Sequence, residues 1–154
     1  MLVNSQVITP MPIGSAWIMD QWDGFPAERS HVVQQLAQVR NAIVLTGDIH
    51  AAGVGHVRDE PVGSPTVATE LITTSISSTP TGTEATILNQ VVNSLDQFPW
   101  FDNAKRGYAR ATFTPDHVDV DFVSTATATD VLGPLTVETA WRIVDGTPGA
   151  APRV

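Results

Sequence analysis

Hydrophobic positions change their period several times along this chain, and each change marks an element. Val32, Val33, Leu36 and Val39 recur at helical spacing, which predicts a helix from Pro26 to residue 40 with one apolar stripe. Pro26 suits a first helical turn, Glu28 complements the dipole there, and Asn41 offers a stop. The spacing then gives way to an unbroken run, Ala42, Ile43, Val44 and Leu45, the pattern of a strand buried on both faces. Farther on, Val118, Val120 and Phe122 alternate with Asp119 and Asp121 beyond a Pro115–Asp116 turn, predicting a half-exposed hairpin led in by Phe113.

Weaker signals fill the gaps. A short strand is expected in Asn4–Pro12, another in Gly53–Arg58, a turn at Pro61–Pro65, one or two strands in TVATELITTSISSTP, and one more in LTVETAWRIVDG. Ile87, Leu88, Val91, Val92 and Leu95 share one side of a second helix over Ala85–Leu95, with Thr83 and Glu84 as its cap. The Gly- and Pro-rich end is expected to fray, so residues 146–154 read as a flexible tail. The order of elements predicts a layered α/β domain with a β-rich C-terminal end. Apart from a Thr-Ala run near residue 127 there is no low-complexity segment, and no internal repeat.

Composition narrows the chemistry. A chain of 154 residues fits one domain. Its net charge of −8, with Lys105 the single lysine and no basic run, excludes nucleic-acid binding by bulk charge. Without cysteine there is no disulfide, no thiolate metal site and no Cys nucleophile, so any metal must take oxygen and nitrogen ligands. No run approaches the ~18 apolar residues of a membrane span, and MLVNSQVITPMPIG lacks the basic region and apolar core of a signal peptide. Ser75, Ser77 and Ser78 lack the Gly-x-Ser-x-Gly elbow of a serine hydrolase.

The buried run ends in TGDIHAAG, and buried strands of α/β sheets deliver functional groups from their carboxyl ends. In an extended segment residues i and i+2 point the same way, so Asp48 and His50 can aim a carboxylate and an imidazole at one point. Those donors suit Zn, Fe or Mn, and the carboxylate alone suits Ca. The competing reading is a strand-exit turn in which Asp48 caps backbone and His50 is partly buried.

TGDIH, preceded by DQWDGFPAER and a helix and followed by ATELITTSISS, resembles the alkaline phosphatase D (PhoD) family of metallophosphoesterases; NSQV, RGYAR and IVDGTPGA extend the likeness over nearly the whole chain. The resemblance implies the C-terminal part of a calcineurin-like αββα sandwich, residues 1–154 forming a single partial domain. Where the wider fold carries Gly-His-x-His, the PhoD-like branch carries Gly-Asp-x-His, which makes Asp48 and His50 ligands of a multi-metal centre of iron with calcium. No catalytic residue is assigned beyond these ligands. The implied reaction is metal-assisted hydrolysis of phosphomonoesters or phosphodiesters. Early ligand blocks of the family are not found before Asn4, so the chain is expected to need a missing N-terminal half and to be weak or inactive alone. Family members are typically exported, and export is the expected location.

Asp20 and Asp23, in the Trp-rich loop, can border the active site by this likeness or simply cap surface turns. Glu70 can support the metal site from behind its ligands or only partner buried hydroxyls. His31 is expected to face solvent on the first helix, His56 and His117 fall in a strand and a hairpin turn with no ligand-spaced partner, and Arg106 can contact phosphate but is expected, as a lone Arg near a hairpin, to be solvated. The rival reading of the whole chain is a non-catalytic remnant or binding module.

Overall fold

In the computed structural model, residues 1–12, 20–60, 63–78, 83–125 and 133–153 are described. Trp17 of the Trp-rich loop, Pro61 and the Thr-Ala run near residue 127 lie outside them. The unbroken apolar run forms β2 (Ala42–Thr46), which lies parallel to β1 (Leu2–Val3) on one side and to β4 (Ala68–Ile72) on the other. Antiparallel β3 (Ala52–Val57) and then β5 (Trp100–Asp102) complete a five-stranded sheet in the order β1-β2-β4-β3-β5. A second, antiparallel sheet follows in sequence order: β6 (Arg106–Phe113), β7 (His117–Thr125), β8 (Thr136–Val144) and β9 (Ala151–Pro152).

β2 explains why its run has no polar break. Ile43 points into the core between the sheets with Val54, Leu71, Val120, Phe122, Trp141 and Ile143, while Ala42 and Val44 point the other way, onto Val33 and Leu36 of α1 (Pro26–Leu36). The same outer face receives Val92 of α2 (Thr83–Val92), which packs with Val7, Met11, Ile72, Phe98 and Phe101. The architecture is therefore α/β in layers, with helices over one sheet and a β-rich C-terminal end against the other face.

Several expectations need correction. No strand forms over Asn4–Pro12, where one was expected; the first strand is the earlier Leu2–Val3, and residues 7–11 are buried without a strand partner among the described residues. Pro10 and Pro12 cannot donate to a ladder, and the groups that remain are satisfied by side chains instead. Gln21 accepts from the Val7 amide, Glu70 from those of Ile8 and Thr9, and Asp23 from that of Met11; Arg29 donates to the Ile8 carbonyl and Gln97 to that of Pro10. Gly55, opposite Glu70 in the β3/β4 register, lets this segment lie on the sheet, since a Cβ there would run into the Thr9 hydroxyl.

Helix α1 stops at Leu36 rather than residue 40, leaving Val39 exposed, and Asn41 makes the turn with φ +56°. α2 likewise ends at Val92, short of Leu95, with Ile87 exposed. The C-terminal residues expected to fray are instead bonded across the molecule. Ala151–Pro152 pairs with β8, Gly146 and Gly149 donate backbone N–H groups to Asn41 and Thr69, and Arg153 binds Asp119 and Asp121.

Candidate functional site

The carboxyl ends of β1, β2 and β4 come together at one edge of the first sheet, where Gly47 donates to the Ser5 carbonyl and Thr73 to that of Thr46. Here the chain leaves β2 in a turn rather than the extended segment the sequence suggested. The Ile49 amide bonds back to the Gly47 carbonyl at 2.8 Å around Asp48, whose φ is +69°, and His50 follows at φ +55°. A bond from residue i+2 to residue i around a positive φ is a γ-turn of the rarer, strained kind. Partly buried Ile49 packs into the core beneath the turn, while Asp48 and His50 on either side of it are exposed.

Buried polar side chains hold this strained turn from behind. Arg106, only 2% exposed, donates to the His50 carbonyl at 2.6 Å, to the Thr74 hydroxyl at 2.7 Å and to the Asn103 carbonyl at 2.7 Å. Burial lowers its pKa, opposed by nearby Asp102. Thr74 also donates to the His50 carbonyl, at 3.1 Å. The sequence reading of Arg106 as a solvated group is thus corrected: a guanidinium with three fixed acceptors can be buried where a bare one cannot. On the other flank, Gln21 donates its side-chain amide to Asp48 Oδ2 at 2.9 Å.

Gln21 is the residue that sequence reasoning passed over, and Arg106 the one it misplaced. Gln21 stands between two acidic residues that drew attention first, and Arg106 opens RGYAR. The three acidic neighbours lie elsewhere in the machinery. Asp20 is exposed at the start of the described loop. Asp23 accepts from Met11 at 2.8 Å, its pKa raised by burial against that bond and Arg29. Glu70, fully buried, accepts from Ile8 at 2.9 Å, Thr9 at 2.8 Å and the Thr46 hydroxyl at 2.8 Å; burial pushes its pKa up while these bonds oppose the rise. Both carboxylates therefore brace residues 8–11.

His31 is exposed on α1, and His56 lies against the backbone of Ala150, its pKa lowered by burial. His117 approaches Asp119 at 3.6 Å on the other sheet. Among the described residues no cluster of three or more His, Asp or Glu side chains could hold a metal ion. Asp48 and His50 fit a metal in donor type and exposure, as two members of a larger set.

Comparison with known proteins places the chain in a family. The family model described as PhoD-like phosphatase matches residues 2–122. Alkaline phosphatase D of Bacillus subtilis (strain 168) is 34% identical over 108 residues, which are 68% of this chain and 18% of that protein. A solved structure described as "Structure of PhoD" superposes with a TM-score of 0.84 at 24% identity, covering 99% of this chain and 31% of the other. The chain thus spans less than a third of the length of either protein, and the second likeness speaks for the fold. With most of its length matched by the family model, and about a third of the residues identical across the stretch shared with the Bacillus protein, the chain belongs to the PhoD-like phosphatase family.

Proposed function

We propose that this chain carries part of the metal centre of a phosphoester hydrolase, with Asp48 and His50 as two of the ligands. The observation behind the reading is the turn at the end of β2, which keeps a carboxylate and an imidazole open to solvent on left-handed backbone at both residues, in a chain of a phosphatase family. When bound, metal ions supply charge neutralisation at phosphoryl oxygens and an activated water. The chain's own contribution is to hold the ions and fix their ligands: Arg106 and Thr74 tether the His50 carbonyl, and the packed Ile49 anchors the turn between the two donors. A net charge of −8 gives an anionic substrate no long-range attraction, so the centre itself must draw it in.

Phosphomonoesters or phosphodiesters are the proposed substrates, iron with calcium the proposed metals, and export the proposed destination. Two donors are fewer than the three or so protein ligands that catalytic metal sites of the zinc type fix. On this reading the remaining donors come from an N-terminal half of the protein, this chain is the C-terminal portion, and the 154 residues alone hydrolyse weakly or not at all. The same shortage of donors favours the second reading, a non-catalytic remnant.

The test is metal analysis and hydrolysis of p-nitrophenyl phosphate and bis-p-nitrophenyl phosphate by the full-length protein and its Asp48→Asn and His50→Ala variants. Loss of bound metal together with activity is expected in both; retention of both by either variant sinks the assignment of that residue. Tight stoichiometric iron or calcium on the 154 residues alone counts against the remnant.

A further inference from the structure

We propose that Gln21 is a positioning residue that orients the Asp48 carboxylate for a cation; the inference rests on the reading of Asp48 as a metal ligand. Gln21 is 8% exposed, and both ends of its side-chain amide are engaged. Oε1 accepts from the Val7 amide at 2.7 Å and Nε2 donates to Asp48 Oδ2 at 2.9 Å. A backbone N–H only donates and a carboxylate only accepts, so the amide satisfies both partners in one orientation alone.

The anchor is itself rigid. Val7 is 2% exposed, its carbonyl accepts from the Trp22 amide, and the next two residues are fixed by buried Glu70. A chain of hydrogen-bonded groups therefore runs from Glu70 in the middle of the sheet, through residues 7–9 and Gln21, to the exposed carboxylate of Asp48. Oδ1 of Asp48 has no hydrogen bond among the described residues and is the oxygen left for an ion.

The kind of partner matters as much as its position. A neutral amide fixes a carboxylate without cancelling its charge, whereas a guanidinium in the same place would supply the positive charge that a cation must bring. Gln21 thus orders Asp48 and leaves its attraction for a cation intact.

The experiment is titration of the metal-free full-length protein with Mn2+, read as loss of the free-ion EPR signal, with thermal melts of each metal-free variant alongside. Gln21→Met is expected to weaken Mn2+ binding by about tenfold or more, the range found when a ligand's hydrogen-bond partner is lost. Gln97→Met removes a different bond to the same segment, that to the Pro10 carbonyl, and is expected to lower the melting temperature while leaving the affinity within about twofold. Equal weakening by both variants, or none by Gln21→Met, overturns the positioning role. If Gln21→Met does not fold, Gln21→Asn keeps the amide but is one methylene too short to span Val7 and Asp48; it is expected to weaken Mn2+ binding about tenfold, and an unchanged affinity overturns the proposal. Asp48→Asn separates the two readings. If it binds Mn2+ like the wild type, Asp48 is no ligand and the reading beneath this one falls; if it binds weakly while Gln21→Met binds normally, only the role of Gln21 falls.

Discussion

Asp and His stand two residues apart twice in this chain, as Asp48 and His50 at the end of β2 and as His117 and Asp119 at the start of β7, a pairing that the sequence reading of His117 as lacking a ligand-spaced partner overlooks. By spacing alone the second pair has the better claim to a shared target, because it lies in a regular strand where residues i and i+2 share a face. Its surroundings remove that claim. Asp119 accepts from Arg142 at 2.7 Å and from Arg153 at 2.8 Å, beside an Arg110–Asp121 pair, so its charge is already matched. Those bonds, Arg142 first, hold its carboxyl well below the usual carboxylate range. Among the described residues Asp48 meets only a neutral amide, on a turn whose backbone is strained. The difference teaches that an acidic residue is available to a cation because of what is missing beside it. Spacing in the sequence does not report that.

The comparison is most exposed to a paired substitution. In the full-length protein Asp48→Asn should cost more than about 100-fold in phosphoester hydrolysis, and Asp119→Asn should leave the rate within about twofold. Comparable losses in both would erase the distinction. Next in size, Arg106→Met should lower the unfolding free energy by about 3 kcal/mol in urea titrations, because it removes a buried charged donor from the His50 and Asn103 carbonyls. Arg142→Met, which removes an exposed partner of Asp119, should move the urea midpoint far less.

Strain gives a third contrast, opposite in sign. His50→Gly, at φ +55°, should raise stability by about 0.5–1 kcal/mol while removing a proposed ligand, whereas Asp119→Gly, within a regular strand, should lower it. A fall in stability for His50→Gly would mean that the turn is not strained. The smallest effect is in acid. Since the folded pKa of Asp119 is depressed, its ion pairs stabilise in full above the ordinary aspartate value of about 3.9 and are lost as pH falls through the folded value. Melting temperature should therefore decline below about pH 4, and Asp119→Asn should flatten that decline.

Much of the architecture was legible because burial imposes a period. The doubly buried run of β2 and the alternation of Val118, Val120 and Phe122 follow directly from which faces meet a core. Residues 7–11 were misread because they are as buried as a strand but bonded to Gln21, Asp23, Arg29, Glu70 and Gln97, up to 87 residues away. The C-terminal end looked loose for a like reason: beside its pairing with β8, it is bonded to Asn41, His56 and Thr69, far away in sequence.

By itself, the sequence determined the layered α/β class, the buried strand that ends in Gly-Asp-Ile-His, and the family signature, because periodicity and contiguous motifs are local properties. Only the tertiary structure decided that Asp48 lies at the centre of a strained turn with His50 just beyond it, that Arg106 is buried behind it, that Asp23 and Glu70 serve as braces, and that the charge of Asp119 is matched. Each of these depends on which donor lies within about 3 Å of which acceptor, and residues far apart in the chain become such neighbours only when the sheets and helices pack.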